Sequence, residues 1–134
     1  MNTLTSREVQ SEVYRLLKDS PLKKALNGGL YHDTTRPRDS KGEDILIRYT
    51  AGTAGDIAEG VVTILIYSQP IVARDGTLRE DLARTSEIER LAQQWVGSLR
   101  ASHYLFTLRD TIQTYRDTEL QQDFTSVKLT YRNY

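Results

Sequence analysis

The stretch GVVTILIYSQP, residues 60–70, decides the fold because it contains the most apolar strand pattern in the chain. Residues 61–67 (VVTILIY) are mainly β-branched, aliphatic and aromatic, and such residues favour strands. A run with so little polar alternation predicts a central strand that is buried on both faces. Because Pro70 cannot donate to a sheet ladder, we expect the strand to end before it.

The pattern becomes helical after this strand. Arg74, Asp75 and Gly76 form a turn signal, and Thr77 with Glu80 three residues later has the spacing of a capping box. We therefore predict a long helix over residues 78–99, which covers the sheet. Its apolar stripe consists of Leu78, Leu82, Ile88, Leu91, Ala92, Trp95, Val96 and Leu99.

The region before the central strand begins with another helical pattern. Residues 5–26 predict an N-terminal helix with Thr5 or Ser6 as N-cap and a stop or restart at Pro21. Gly28 and Gly29 are expected to end it, since glycine adopts the left-handed cap conformation without strain. The buried positions of its first part are Val9, Val13, Leu16 and Leu17.

The other strands and loops complete an α+β order. Strands are predicted at Leu30–Tyr31 and over residues 44–49 (DILIRY), 104–108 (YLFTL), 111–118 (TIQTYRDT) and 124–131 (FTSVKLTY). Residues 34–42 and 51–59 are predicted loops. No strand–helix–strand repeat is sustained, so we predict a mainly antiparallel sheet packed against two helices, in one domain over residues 1–134.

Composition excludes several classes of function. The chain has 18 basic and 18 acidic residues, so it lacks the net positive charge typical of nucleic-acid-binding proteins. It has no cysteine, which excludes disulfides and thiolate metal sites. Its longest apolar run, about six residues, is far shorter than the roughly 20 needed to cross a bilayer, so no membrane partner is expected.

Two histidines and several acids are candidates for catalysis. His32 beside Asp33 could act as a general base, but neighbouring residues of a strand point to opposite faces. His103 follows Ser102 without a nucleophile-elbow sequence. A metal-dependent hydrolase or nuclease built on Glu43, Asp44 and His32 remains an alternative. Further acids at strand ends are Asp110, Asp117, Glu119 and Asp123.

Other polar residues are candidates for binding. Arg36, Arg38 and Lys41 form a basic cluster on a loop, although nearby acids largely neutralise it. The eight tyrosines combine an apolar ring with a polar tip, which suits either ordinary sheet packing or surfaces buried on assembly. A protein-binding adaptor that works by strand addition at an open edge is a further alternative.

The chain resembles the tail-terminator (tail-completion) proteins of tailed bacteriophages, which join head to tail. Four features carry this resemblance: the opening helix with its Gly28–Gly29 stop, LYHDTTRPRDSKGEDILI, GVVTILIYSQP before the long helix, and the closing VKLTYRNY. The segment RPRDSKGEDILI is also similar to small tail or neck proteins of Bacteroides-type phages.

The resemblance implies a non-enzymatic virion protein that is made in the bacterial cytoplasm. It implies a sheet packed on two helices and a homo-oligomeric ring of six copies, or twelve in a short-tailed phage. The ring contacts portal or neck and tail-tube proteins and ends tail-tube growth, and any DNA in its lumen is not bound sequence-specifically. No catalytic, cofactor or metal residue is assigned.

A ring of this kind predicts interface residues on long loops and hairpins. Residues 34–42, 50–60 and 109–123 are the candidate arms, and glycines at 52 and 55 would let the second arm become ordered on assembly. The interface candidates are Arg36, Arg38, Lys41, Gly52, Gly55, Tyr115, Arg116, Tyr131 and Tyr134.

Overall fold

The computed structural model describes residues 4–134, so the first three residues of the predicted domain lie outside it. The α+β class is confirmed: a mixed, mostly antiparallel sheet carries helices on one face. The helices are α1 (Ser6–Lys18), α2 (Pro21–Lys24) and α3 (Leu82–Ser98). The strands are β1 (Leu30–His32), β2 (Ile45–Thr53), β3 (Ala58–Ser68), β4 (Ile71–Val72), β5 (Leu78–Arg79), β6 (Tyr104–Leu108), β7 (Gln113–Asp117) and β8 (Gln122–Asn133).

Strand β3 lies at the centre of the main sheet, as its sequence predicts. The strand order is β1-β2-β3-β8-β6, with β7 also paired to β8. Strand β1 is parallel to β2, and every other pair in this sheet is antiparallel. Strands β6 and β7 follow one another along the same side of the long β8.

The core lies between the sheet and the helices. Val62, Ile64 and Ile66 alternate along β3 and are fully buried on the helix side. Each fully buried aliphatic side chain contributes roughly 1.5–3 kcal/mol to folding. The helices cover these residues with Val9, Val13 and Leu17 of α1 and Ile88, Ala92 and Trp95 of α3. Within residues 4–134, no helix is both long and apolar enough to cross a membrane.

The N-terminal helix begins as predicted but ends earlier. Thr5 is the N-cap, and its hydroxyl accepts a hydrogen bond from the backbone N–H of Glu8 at 3.2 Å. The helix stops at Lys18, and α2 begins at Pro21 with Ser20 as its own N-cap. The proline thus restarts the chain as a separate short helix, because its fixed φ suits the first helical position.

The role predicted for Gly28 and Gly29 is wrong. Neither glycine has a positive φ, so they do not form a left-handed cap. Instead the backbone passes very close to the start of β2, where a Cβ added to Gly28 would lie 2.4 Å from the carbonyl carbon of Glu43. Gly28 therefore serves close packing between two backbone segments.

The start predicted for the long helix is also wrong. Leu78 and Arg79 form β5, which pairs with β4 around the Gly76 turn. The helix begins at Leu82, and its N-cap Asp81 accepts a hydrogen bond from the backbone N–H of Arg84 at 3.1 Å. The turn signal was correct, but it closes a small hairpin instead of leading directly into the helix.

The loop predicted over residues 51–59 is largely strand. Strands β2 and β3 continue through Thr53 and from Ala58, so a short turn over residues 54–57 joins them. Gly52 lies opposite Gly60 in this hairpin. A Cβ on Gly60 would lie 2.2 Å from the Ala51 carbonyl oxygen and 2.7 Å from the ring of Tyr131. These glycines therefore belong to a packed hairpin, not to a loop that awaits assembly.

Candidate interaction surface

A buried ion pair between Arg36 and Asp44 connects the loop before β2 to the sheet. Arg36 Nε donates to Asp44 Oδ2 at 2.8 Å, and the two side chains are 7% and 2% exposed. Asp44 Oδ2 also accepts from the Ser40 hydroxyl, and Oδ1 accepts from the backbone N–H of Gly29 at 2.7 Å. Burial alone would raise the pKa of Asp44, but these hydrogen bonds outweigh it and the pKa lies below its ordinary value. Asp44 is therefore a charged structural anchor.

A second nitrogen of Arg36 is also used within the chain. Its Nη2 donates to Gln122 Oε1 at 2.9 Å, and the Gln122 amide in turn donates to the Ser40 carbonyl at 2.7 Å. The guanidinium carbon lies 3.8 Å from the centre of the Tyr67 ring, within cation–π distance. Arg36 thus joins the loop to β3 and β8 and has little surface left for a neighbouring molecule.

A second ion pair links the same region to α3. Arg84 donates to both oxygens of Glu43, each at 2.6 Å, and also to the carbonyl of Ala25 at 2.8 Å. Hydrogen bonding to Arg84 lowers the pKa of Glu43 in spite of its partial burial. We call this part of the molecule the ionic end; it comprises Arg36, Glu43, Asp44, Arg84 and Gln122.

The residues of the alternative hydrolase site do not meet. His32 lies on the helix side, where its ring stacks on Tyr14 with centroids 5.3 Å apart and Nδ1 is 3.4 Å from Gln10 Oε1. Both Glu43 and Asp44 face arginines instead. Among residues 4–134, no group of three or more histidines and acids is arranged to hold a metal ion.

Asp123, Asp117 and His103 also have local partners. Asp123 Oδ1 accepts from Arg116 Nε at 2.6 Å, and Asp117 caps the turn between β7 and β8. His103 has a positive φ, and its Nδ1 lies 3.2 Å from the backbone oxygen of Tyr134. These contacts hold the ends of strands together.

The predicted interface residues divide by exposure. Tyr131 is 2% exposed, and its hydroxyl lies 2.8 Å from that of Tyr49, so it packs inside the sheet. Burial and this hydrogen bond raise the pKa of Tyr131. We call this part of the sheet the tyrosine end; it comprises Tyr49, Gly52, Gly60 and Tyr131. Gly55 is half-buried in the adjoining turn, while the exposed candidates are Arg38, Lys41, Gly52, Tyr115, Arg116 and Tyr134.

The sheet face opposite the helices carries a mixed groove of about 450 Å³. Tyr115, which is 46% exposed, stacks on Phe124 with centroids 5.5 Å apart. Leu65 lines the groove between them and the cations Arg48 and Lys128. Aromatic and arginine side chains are enriched where proteins contact one another, so this composition suits a protein contact.

Two exposed apolar patches were not predicted as interface from the sequence. The hairpin patch consists of Ile71, Val72 and Leu82, which are 52%, 70% and 68% exposed. Strand β6 also exposes Leu105 and Leu108, which are 46% and 41% exposed and project from opposite faces of the sheet because they are three residues apart. We call these two residues together the β6 patch. Leu82 was assigned to the buried stripe because the helix was expected to start four residues earlier. The aliphatic pair between Pro70 and the Gly76 turn was the available signal for the hairpin.

No protein-family model matches the chain, and no curated protein matches it.

Proposed function

We propose that the chain is a structural virion protein that forms a closed homo-oligomeric ring at the neck or tail top of a tailed bacteriophage. In this role it joins the head or portal to the tail and ends growth of the tail tube. The sequence resemblance supplies the phage context. The geometry contributes an argument for assembly.

The observation that carries the proposal is the separation of the two exposed apolar patches. The hairpin patch follows the end of β3 at Ser68, whereas Leu105 pairs with Arg132, opposite Glu59 near the start of β3. Nine residue steps along β3 place these levels about 30 Å apart. Two apolar patches at different levels give one subunit two separate contact surfaces. A ring component needs such surfaces, because it contacts its own copies in a head-to-tail arrangement that closes and also contacts the proteins above or below the ring.

The ion pairs support a role without catalysis. A hydrolase needs carboxylates that are free to hold a cation or to move a proton. In this chain Glu43 and Asp44 are each engaged by an arginine, and their pKa values are lowered. The polar residues with the strongest contacts therefore stabilise the fold.

Native mass spectrometry over a range of protein concentrations tests the ring. We expect particles with one fixed subunit number, six or twelve, and ring-shaped particles in negative stain. Leu105→Asp should raise the concentration needed for assembly about tenfold or more, since 1.4 kcal/mol of lost contact energy is a factor of ten. Leu105→Ile is the matched control and should assemble normally.

A monomer at every concentration, also with portal and tail-tube partners present, would contradict the proposal. Turnover of DNA with Mg²⁺ or Mn²⁺ that disappears in Asp44→Ala, while Asp33→Ala retains it, would favour the hydrolase instead. Virion localisation is tested separately by immunogold labelling of phage particles, where we expect the label at the junction of head and tail.

The second candidate is a protein-binding adaptor that works by strand addition. It is favoured by β6, whose Leu105–Leu108 segment has a strand neighbour on one side within the described residues. An adaptor would remain a monomer alone and form a 1:1 complex with its partner, so the same mass measurement separates it from a ring.

A further inference from the structure

The main sheet has two open edges in the described part of the chain. Strand β2 pairs with β1 through Ile47 at most, so the outer side of residues 48–53 has no strand neighbour. Strand β6 pairs with β8 on its inner side, and a single bridge from Tyr104 to Ala101 is its other strand contact. Backbone N–H and C=O groups on such edges are available to another strand.

The two edges flank the same part of the sheet. Thr53 is opposite Glu59, which is opposite Arg132, which is opposite Leu105. Two rows further, Ala51 is connected in the same way, through β3 and β8, to Thr107. Strands β2, β3, β8 and β6 thus form a four-strand band whose two outer edges lie at the same level.

The strand directions make these edges complementary. Three successive antiparallel pairs separate β2 from β6, so β6 runs opposite to β2. In a head-to-tail assembly the next copy has nearly the same orientation, and its β2 would meet β6 in an antiparallel sense. The alternation within one subunit would then continue across the contact without interruption.

Only part of the β2 edge is free of the features that commonly prevent such pairing. Natural edge strands are protected by charged residues, by proline or by β-bulges, and β2 carries Arg48 and a bulge between Tyr49 and Ala51. Beyond the bulge, residues 51–53 (AGT) contain no charge or proline, and neither does Tyr104–Leu108 (YLFTL). The small side chains at Ala51 and Gly52 also leave room for a neighbouring backbone, and the β6 patch supplies apolar contact area.

We infer that β6 of one copy adds to the open edge of β2 in the next copy, so that the ring is closed by one sheet that continues through all subunits. This inference rests on the proposed ring and specifies its contact. The partner it identifies is a second copy of this chain, bound by main-chain hydrogen bonds through strand addition.

Disulfide trapping tests the contact, and the cysteine-free chain suits it. The variant Ala51→Cys/Thr107→Cys places thiols on both open edges at exposed positions. The two cannot join within a chain, because three strand spacings put them about 14 Å apart and a disulfide needs Cα atoms within about 7 Å. Mild oxidation of assembled protein should therefore give a ladder of linked multimers. Thr53→Cys/Leu105→Cys tests the contact two rows away.

The control is Ala51→Cys/Gln94→Cys, which moves one thiol to an exposed site on α3. We expect its yield of linked chains to be about tenfold lower or less, since assembly raises the effective concentration of paired edges alone. A ring of fixed subunit number that gives no ladder with either cysteine pair would overturn the edge pairing and leave the ring proposal standing. Linked chains of open-ended length would support the edge pairing and count against the closed ring. A monomer without crosslinks would contradict both.

Discussion

The two ends of the central sheet are stabilised by different kinds of contact. At the ionic end, buried charges join segments that lie far apart in the sequence, such as Arg36 and Gln122. At the tyrosine end, the neutral hydroxyl groups of Tyr49 and Tyr131 join β2 to β8 across β3, and close glycine packing joins β2 to β3. The first arrangement depends on compensation of charge, and the second depends on shape.

This difference predicts how each end responds to change. A buried charge that loses its ion-pair partner is left in a medium that solvates it poorly, so removal of the partner is costly. Loss of the partner of a neutral hydroxyl lowers the free energy of unfolding much less. By contrast, a methyl group added in a close contact lowers it markedly. The ionic end should therefore be sensitive to charge and pH, and the tyrosine end to volume.

The largest effect is expected from Asp44→Ala. The substitution leaves the Arg36 guanidinium buried without its carboxylate, and breaking a buried pair in this way costs about 3–5 kcal/mol. Urea unfolding followed by circular dichroism measures the change. The matched control is Asp33→Ala, which removes an exposed ion pair with Arg48 and should cost less than about 1 kcal/mol. Equal losses in the two variants would show that burial of the pair does not matter.

The next effect is loss of stability in acid. The pKa values of Glu43 and Asp44 are lowered in the folded protein, by the Arg84 hydrogen bond for Glu43 and, against the effect of burial, by hydrogen bonds for Asp44. Their contribution is fully present above the ordinary carboxyl pKa values, near 4, and is lost as the pH falls through the lower folded values. Urea midpoints measured between pH 7 and pH 2.5 should fall at the acid end. The fall should be shallower in Glu43→Gln, and an unchanged slope would contradict the assignment.

The third effect tests shape at the tyrosine end. Gly60→Ala forces a methyl group against the Ala51 carbonyl and the Tyr131 ring, and overpacking of this kind costs about 1–3 kcal/mol. The control is Gly97→Ala on α3, where a Cβ meets nothing within 4 Å. Because alanine favours a helix over glycine, the control should be neutral or gain up to about 1 kcal/mol. Shifts of the denaturant midpoint in opposite directions would confirm the contrast, and similar decreases in both variants would contradict it.

The two ends also differ in how far the sequence could predict them. Local patterns were sufficient for the Thr5 cap, for the core of β3 and for β6, whose bounds agree with the prediction. The sequence also indicated that acids neutralise the Arg36 cluster. It could not show that Arg36 is buried, because that depends on Gln122, 86 residues away, and on a sheet that brings them together.

The errors at the tyrosine end and at the start of α3 have a common physical cause. Gly52, which together with Gly55 predicts a flexible loop in a local pattern, lies opposite Gly60 in a strand pair, and both Gly52 and Gly60 permit close packing beneath Tyr131. Similarly, the helix start that Thr77 predicts is replaced by a hairpin in which β5 pairs with β4. Neither outcome follows from propensity, since each depends on what the rest of the chain places beside the segment.

The smallest effect is expected from Tyr131→Phe, which removes one hydroxyl from the pair with Tyr49 and keeps the ring. The loss should be about 1 kcal/mol at neutral pH, the usual net value of one hydrogen bond. Burial, then the hydrogen bond to Tyr49, raises the pKa of Tyr131, so its contribution is complete below the ordinary tyrosine value near 10 and is lost as the pH rises above it. Stability measured from pH 8 to pH 11.5 should therefore decline more in the wild type than in the variant, with exposed Tyr134→Phe as the control. If the stability of both variants declines with pH as in the wild type, the hydroxyl pair does not couple folding to pH. The tyrosine end would then differ from the ionic end only in its sensitivity to side-chain volume.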